Sequence, residues 1–420
     1  MSVRRSNAPT SVSRRDLLRT GFYGLGVSAA LPVVLRNTSD ALAAHALAGD
    51  AHAHPERILV VAELSGGNDG LNTVVPYADD AYYRLRPTIG IPEAQLLKLE
   101  DGYGFHPSLV GFQQLYDDGR MAVVHGCGYD NPSLSHFTSM GYWHTAAPNS
   151  GEKLGWLGRF ADARSPKPQE NLIVNIGNAQ SLAVRSAGHT PLVFNDPGRF
   201  RRDGADDQRA AFEQMSRPAD SGNDTLRFLK KVAHNAVRSS AFVRQAFASY
   251  RTPIDYGAGA GIGNDLRKVA ALIDSGMPTR VYYVSFGGNA FDTHVHQPGL
   301  HARLLMYTAD AIRGFFEDLE RIGRANDVAV MMFTEFGRRA EENASLGTDH
   351  GTATPLFVFG NRLKGGLHGE HPSLTELDDG NLVKTTDFRR VYATMIEEWM
   401  GFEDAGALLG GEFEPLGMFA

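Results

Sequence analysis

The sequence predicts an α/β fold in which a doubly wound, mainly parallel sheet lies between layers of helices. Three apolar segments carry this prediction, at residues 57–64, 281–286 and 328–333. Continuous apolar runs of this length are typical of strands buried on both faces, as in a parallel sheet covered by helices. Each run ends in a short polar loop. Candidate helices alternate with the strands, which is the order that such folds show.

Further segments complete the alternating order. We expect additional strands at residues 121–125, 171–177, 191–195 and 355–359. We expect helices at about residues 106–118, 135–143, 223–250, 300–323 and 387–400. The segment 300–323 is the clearest helix, because its apolar side chains recur at helical spacing along one stripe. Residues 196–222 are polar and predict an irregular insertion that is exposed to solvent.

The first 43 residues have the three parts of a signal peptide. Arg14 and Arg15 precede an apolar stretch at 21–35 and the small residues 41–43. The paired arginines predict export through the twin-arginine pathway, to the periplasm or the cell exterior. An uncleaved N-terminus that tethers the chain to the membrane is the alternative. Residues 44–56 predict a flexible lead-in, and residues 57–420 a single domain without a transmembrane span.

Composition limits the partners that this chain can have. Without residues 1–43, it holds 35 Lys and Arg against 46 Asp and Glu, a formal net charge of −11. Such an acidic chain is poorly suited to nucleic acid or to anionic membrane surfaces, whereas metal ions and neutral or cationic ligands suit it. Cys127 is the single cysteine, so no internal disulfide can form. Stability must therefore come from the core or from bound ligands.

The polar loops next to the strands hold the candidate metal ligands. Asp69 follows the first strand, Asp292 and His294 follow 281–286, and His350 precedes a further strand. Ligands collect beyond the carboxyl ends of parallel strands, so we expect these side chains at one edge of the sheet. Their mixed oxygen and nitrogen atoms suit Zn, Mn, Fe or Ni. An Asx turn at Asp69 and hydrogen-bonded polar loops elsewhere are the alternatives.

Four further residues extend the candidate site. Glu335 follows the third strand, where a buried carboxylate needs a metal ion or a partner such as Arg338 or Arg339. Ser135 lies at a predicted helix start, where backbone N–H groups favour oxyanions, and this placement suits a nucleophile. A serine that only caps its helix is the simpler interpretation. His136 is either a metal ligand or the neighbour of one.

With these motifs, the chain resembles the DUF1501 family, bacterial proteins of unknown function that carry twin-arginine signals. The resemblance extends over nearly all of the chain that follows the signal. It rests on seven motifs, at residues 66–72, 131–137, 155–159, 291–294, 334–339, 348–351 and 386–389. Family members often lie beside another exported family, so an exported protein partner is also expected.

The family in turn resembles the alkaline phosphatase/sulfatase superfamily. That resemblance implies an alkaline phosphatase-like fold with a two-metal centre at the carboxyl edge of the sheet. It further implies metal ligands and a nucleophile at these positions: Asp69, Asp292, His294 and His350 as ligands, and Ser135 as the nucleophile.

The chain departs from the superfamily pattern at two places. Glu335 and Phe336 stand where an Asp-His pair is usual, so one imidazole ligand is missing. The spacing usual in the superfamily would select His296, whereas the pattern of the nearer family selects His294. One metal ion instead of two, or a lost activity, therefore remains open.

The sequence thus predicts an exported, metal-dependent hydrolase of phosphate or sulfate esters, either small molecules or polymers. One or two divalent transition metals, such as Zn or Mn, would polarise the ester oxygen and activate Ser135 or a bound water. Arg338 would stabilise the developing negative charge. The alternative is a non-catalytic descendant of this fold that binds a cell-surface component or a protein partner. A Ser135 that caps its helix and points away from the carboxylates would favour that alternative.

Overall fold

A computed structural model describes residues 57–200, 205–217, 223–257 and 261–419. The predicted signal peptide at 1–43 and the lead-in at 44–56 lie outside these residues. Within them the chain forms fourteen strands: β1 (Ile58–Leu64), β2 (Val74–Val75), β3 (Leu97–Lys98), β4 (Gly104–Phe105), β5 (Met121–Gly128), β6 (Ile173–Ile176), β7 (Leu192–Phe194), β8 (Val281–Phe286), β9 (Val328–Phe333), β10 (Thr354–Gly360), β11 (Gly366–His368), β12 (Leu377–Asp378), β13 (Asn381–Leu382) and β14 (Thr386–Asp387).

The same residues form eleven α-helices: α1 (Gly70–Thr73), α2 (Asp80–Leu85), α3 (Val110–Asp117), α4 (His136–Thr145), α5 (Trp156–Arg164), α6 (Asp206–Ser216), α7 (Asp224–Ser249), α8 (Ile262–Asp274), α9 (Gln297–Arg321), α10 (Phe388–Thr394) and α11 (Ala405–Leu409). A π-helical segment, Met395–Trp399, continues α10. Among the described residues we find no helix with both the length and the apolar character needed to cross a membrane.

Nine strands form one large sheet, in the spatial order β11-β5-β10-β9-β1-β8-β6-β7, with β14 beside β5. β1 pairs in parallel with both β8 and β9, at the centre of the sheet. β10 is antiparallel to its two neighbours, β5 and β9, and every other pair in this sheet is parallel. The carboxyl ends of β1, β5, β8 and β9 therefore meet at one edge, where β10 begins.

Alternate side chains of the central strands pack into two cores, one on each face of the sheet. In β1, Val60 and Ala62 pack into the core that contains α3, α8 and α9. Leu59 and Val61 pack into the other core, which contains α4, α5 and α10. This double burial explains the continuous apolar sequence of β1. The predicted doubly wound, mainly parallel sheet between helix layers is confirmed.

Most predicted elements are present, and the differences have local causes. α3 is shorter than predicted, because a turn in which Leu109 N donates to His106 O precedes it. The segment 196–222 is not irregular throughout: strong helix formers such as Ala, Gln and Glu build α6 inside it. α8 was not predicted, although its buried apolar side chains recur at helical spacing.

We predict that Trp399→Ala destabilises the fold strongly. The Trp399 side chain is fully buried, packs against Phe419, and donates from Nε1 to Ile58 O at 2.9 Å. Its removal leaves a cavity, so the free energy of unfolding should fall by about 3–5 kcal/mol. Trp399→Phe keeps most apolar contacts and should cost roughly half as much. Chemical denaturation measures both, and a loss below about 1 kcal/mol for the alanine variant would contradict this packing.

Candidate metal centre

Three imidazoles and one guanidinium surround the carboxylate of Asp292, which follows β8. Asp292 Oδ1 lies 2.7 Å from Arg338 Nη2, 3.0 Å from His294 Nε2 and 3.1 Å from His350 Nε2. On the other side, Asp292 Oδ2 lies 3.4 Å from His136 Nε2. The imidazole atoms that approach the carboxylate are thus all Nε2 atoms.

The second nitrogen of two of these imidazoles is held by an oxygen atom. His136 Nδ1 lies 2.8 Å from Glu335 Oε1, and His350 Nδ1 lies 2.8 Å from the carbonyl oxygen of Leu134. A carbonyl or an ionised carboxylate can only accept a hydrogen bond, so the network assigns the proton of each neutral ring to Nδ1. Each Nε2 then presents a lone pair toward Asp292.

His294 has a similar arrangement at a more exposed position. Its Nδ1 lies 3.2 Å from Asp349 Oδ1, and its Nε2 lies 2.9 Å from His350 Nε2. The hydrogen bond with the Asn343 side chain lowers the pKa of Asp349, which keeps this carboxylate ionised and able to accept from His294. Metal-binding imidazoles are commonly oriented in this way, by an oxygen on the nitrogen that does not bind the metal.

His136, Asp292 and His350 form a group that could hold one metal ion. One ligand atom from each lies within 4.8 Å of the others. His136 Nε2 is buried and has no hydrogen-bond partner in the described part of the chain. Neighbouring lone pairs repel each other unless a proton or a cation lies between them. Two imidazole nitrogens and a carboxylate oxygen suit Zn or Mn, so these residues fit a transition metal.

The protonation states are compatible with metal binding. Burial opposes ionisation of Asp292, but the hydrogen bond and charge of Arg338 outweigh it and lower the pKa of this carboxylate. Burial lowers the pKa of His350, which keeps that imidazole neutral. The hydrogen bond with Glu335 raises the pKa of His136, so a proton on this ring would compete with a metal ion.

The loop after β1 brings the parts of the site into contact. Glu335 is fully buried and its carboxylate accepts from Gly66 N at 2.9 Å and from Thr334 Oγ1 at 3.0 Å. Gly66 has a φ of +119°, and a Cβ atom at this position would lie 2.5 Å from Asp292 N. Only glycine allows this approach, because any side chain would separate the loop from Asp292.

Asp69, a predicted ligand, does not join the group of ligand atoms around Asp292. Its Oδ2 pairs with Arg86 Nη1 at 2.7 Å and accepts from Gln297 Nε2 at 2.5 Å, in a fully buried environment. Its Oδ1 accepts from Asn72 N at 3.3 Å and caps α1. Burial opposes ionisation, but the Arg86 charge lowers the pKa of Asp69. In the structure this ion pair occupies the carboxylate that the sequence predicted as a metal ligand.

Two other predicted roles also change. Glu335 was predicted to bind a metal ion, or else to pair with Arg338 or Arg339; in the structure its carboxylate contacts His136, as described above. Arg338 is buried, and its three guanidinium nitrogens all donate within the protein, to the carbonyl oxygens of Gly66, Gly67, Phe291 and Thr348 and to the Asp292 carboxylate. These bonds hold the guanidinium within the protein, whereas the sequence predicted that it would contact a substrate.

Ser135 lies beside the candidate metal centre, on the chain between Leu134 and His136. It is exposed and occupies the N-cap position of α4, yet its side chain makes no capping hydrogen bond. The simple interpretation as a side-chain cap is therefore not supported. His296, the alternative to His294, is exposed and begins α9. Phe336 packs against the His136 ring, with centroids 4.9 Å apart.

Two participants escaped the sequence analysis. Arg86 ends α2 in a segment without regular periodicity, and the only signal for it was the need of a buried Asp69 for a counter-charge. Leu134 takes part through its backbone carbonyl, which no side-chain pattern reveals. His136 was considered as a ligand or as the neighbour of one, and the structure places its Nε2 in the metal-sized group.

The fold and this cluster define a doubly wound α/β protein with a His/Asp group at the carboxyl edge of its sheet. Residues 56–399 match the family described as "Protein of unknown function (DUF1501)". The chain belongs to this family. No curated protein sequence matches it.

Several solved structures are similar in fold at very low sequence identity. A protein in the alkaline phosphatase superfamily from Vibrio parahaemolyticus is 9% identical, with a TM-score of 0.35, covering 76% of this chain and 64% of that one. A structure from work on glycosaminoglycan metabolism by Bacteroides thetaiotaomicron is 9% identical, with a TM-score of 0.38, covering 84% and 77%. A 2-O GAG sulfatase is 8% identical, with a TM-score of 0.37, covering 86% and 76%. No residue equivalence follows from these values.

We predict that Asp69 and Arg86 stabilise the fold as a pair without binding metal. Arg86→Met leaves a buried, unpaired carboxylate and should lower the free energy of unfolding by about 3–5 kcal/mol. The double variant Asp69→Asn/Arg86→Met should lose less than the sum of the single losses, because the two side chains interact. Denaturation curves give these energies. Asp69→Asn should keep the metal content of the wild type, and loss of metal without loss of stability would contradict the assignment.

Proposed function

We propose that this protein is an exported, metal-dependent hydrolase of phosphate or sulfate esters that uses one metal ion. One observation carries the proposal: His136 and His350 turn their bare Nε2 atoms toward Asp292 while oxygen atoms hold both Nδ1 atoms. This arrangement is what a metal site requires and is hard to explain by hydrogen bonding alone. Export is part of the proposal because residues 14 and 15 carry the paired arginines of a twin-arginine signal.

Two features favour a single metal ion over two. Phe336, which stands where a second imidazole ligand was expected, packs its ring against His136 and His350, with centroids 4.9 and 4.8 Å apart. Asp69, the other ligand expected for a second ion, is neutralised by Arg86 in the interior. A second cation would have to displace a buried guanidinium, which is costly.

The residues around the centre have separate roles in the proposed reaction. His136, Asp292 and His350 would hold the metal ion, which would supply a Lewis acid to polarise the ester oxygen. Glu335 and the Leu134 carbonyl orient the two imidazoles. The N–H groups in the first turn of α4 face the region in which Ser135 lies, where they favour an anionic ester group.

Ser135 and His294 are the candidates for nucleophile and base. The Ser135 hydroxyl is exposed and takes no part in capping, so it is free to attack an ester. His294 Nε2 can accept the proton of the attacking hydroxyl or of a water molecule, and Asp349 then stabilises the imidazolium from the Nδ1 side.

A binding protein without turnover is the second candidate. Two observations favour it: Arg338 has committed its guanidinium to the protein, and the Asp69–Arg86 pair occupies a carboxylate that was expected to bind metal. Such a protein would use the same centre to hold a ligand, so metal binding alone does not separate the two candidates. Turnover does.

We predict that the purified protein binds one transition metal ion per chain after loading with Zn or Mn. Asp292→Ala, His350→Ala and His136→Ala should each lose most of it, as measured by elemental analysis. The metal should raise the wild-type free energy of unfolding by about 2.7 kcal/mol at a hundredfold excess over Kd. Metal affinity should fall as the pH drops, because His136, whose pKa is raised, takes up a proton first.

The matched control for this prediction is His368→Ala. His368 lies in β11, where its Nε2 bonds the Lys364 carbonyl, so this change removes an imidazole without touching the centre. It should leave the metal content unchanged. A wild type that stays metal-free after loading, and whose stability does not respond to metal, would rule out the metal centre.

We predict that Ser135→Ala keeps the metal and loses turnover. With p-nitrophenyl phosphate and p-nitrophenyl sulfate as substrates, kcat should fall by about 10³-fold or more, because a nucleophile is removed. Ser150→Ala changes another exposed serine, whose hydroxyl donates to the Ala147 carbonyl and accepts from Glu152 N, and should have wild-type activity. If Ser135→Ala stays active, a water molecule is the nucleophile. If the metal-loaded wild type hydrolyses neither ester type, the binding protein is the better interpretation.

A further inference from the structure

Four exposed apolar side chains lie on the chain segments that form or contact the candidate metal centre. Phe137 is 91% exposed, Val295 57%, Leu346 39% and Leu134 38%. A single exposed apolar residue is common in soluble proteins and needs no explanation. Several around one functional site are different, because contiguous apolar patches mark places where a ligand or a partner binds. We call these four residues the apolar rim.

The rim is continuous with the cluster because of chain connectivity and ring packing. Phe137 follows His136, Val295 follows His294, and the Leu134 carbonyl bonds His350 Nδ1. The His136 and His294 rings lie 4.4 and 4.6 Å from the His350 ring, measured between centroids.

Leu346 reaches the same place from the loop between β9 and β10. Its carbonyl oxygen accepts from Gln297 N at 2.9 Å, two residues after Val295. Leu346 also has a φ of +58°, a conformation that is unfavourable for a leucine. The chain thus keeps a large apolar side chain at a position where its backbone conformation is strained.

We propose that the centre takes amphiphilic esters, in which a phosphate or sulfate head group lies at the metal and an aryl or alkyl group lies on the apolar rim. This inference rests on the proposed function and narrows its substrate class. The complementarity is twofold: a metal ion held by His136, Asp292 and His350 would favour the anionic head, and the rim favours the apolar part. Burial of part of an alkyl chain on the rim would increase affinity without any further polar contact.

The rim comes from three separate chain segments, two of which carry His136 and His294, so an ester held at the metal has the rim segments beside it. This placement favours a substrate over a second copy of the chain or a lipid surface. A second copy of the chain or a lipid surface bound on the rim would block the access of an ester to the metal centre. These two occupants therefore become outcomes of the test.

The test compares short and long esters on the metal-loaded, full-length protein. Isothermal titration measures the affinities of ethyl and decyl phosphate, and of ethyl and decyl sulfate, below the concentration at which the decyl esters form micelles. For at least one head group, the decyl ester should bind about tenfold more tightly than the ethyl ester. Phe137→Ser should remove most of this preference and leave the affinity for the ethyl ester unchanged. Leu229→Ser, an exposed leucine of α7, is the matched control and should keep the preference.

Each binding result supports or overturns the inference, whether or not the protein hydrolyses the ester. A chain-length preference that depends on Phe137 supports it, even if neither ester is hydrolysed; in that case the hydrolase proposal fails and the ligand class stands. Equal affinities for ethyl and decyl esters, or binding of neither, overturn the inference. It is also overturned if the wild type, but not Phe137→Ser, sediments with phosphatidylcholine vesicles or forms a dimer in ultracentrifugation, because the rim would then belong to those surfaces.

Discussion

The buried guanidinium of Arg338 is the interaction on which the candidate site depends. It donates to carbonyl groups in the loop after β1, the loop after β8 and the loop before β10, and to the Asp292 carboxylate. A cation at this depth is tolerated only when acceptors surround it. Satisfying it fixes three loops relative to one another. The hydrogen bonds that satisfy this buried cation therefore bring Asp292 together with His294 and His350. Without it, the lone pairs of these three side chains would repel one another.

The sheet could be predicted from sequence because its central strands obey a strong rule. A strand buried on both faces has few polar positions, so β1, β8 and β9 appear as largely apolar runs, with Glu63 and Ser285 as the charged or hydroxyl-bearing exceptions near the ends of β1 and β8. Short edge strands carry no such signal. β14 has two residues, and its pairing with β5 depends on the path of the chain in the folded protein and not on its own sequence. α8 has an apolar stripe, yet the glycine-rich sequence at residues 257–263 gives no clear signal for its start. The apolar sequence patterns therefore predicted the central strands but not the short elements at the edge of the fold.

The sequence predicted the site in part. It could not predict which charged side chains pair with each other. Sequence placed Asp69 and Asp292 at the same edge, and both are there, each beside an arginine. Arg86 lies seventeen residues after Asp69 and pairs with it in the protein interior. Arg338 leaves Asp292 partly exposed, next to the imidazoles. Which carboxylate remains available depends on distances of a few ångströms between side chains, and a one-dimensional pattern does not contain them.

The contacts that build the centre join distant parts of the chain. His136 and Glu335 are 199 positions apart, and Arg338 and Gly66 are 272 apart. Contacts of such long range form late, after the loops between them have closed. A fragment shorter than the span from His136 to His350 lacks at least one ligand, so metal uptake would report that the distant parts of the chain have come together. A pathway that exports only folded proteins could then use the bound ion as a sign that folding is complete. A chain that ends before residue 350 lacks the His350 ligand and would leave the ion in the cytoplasm.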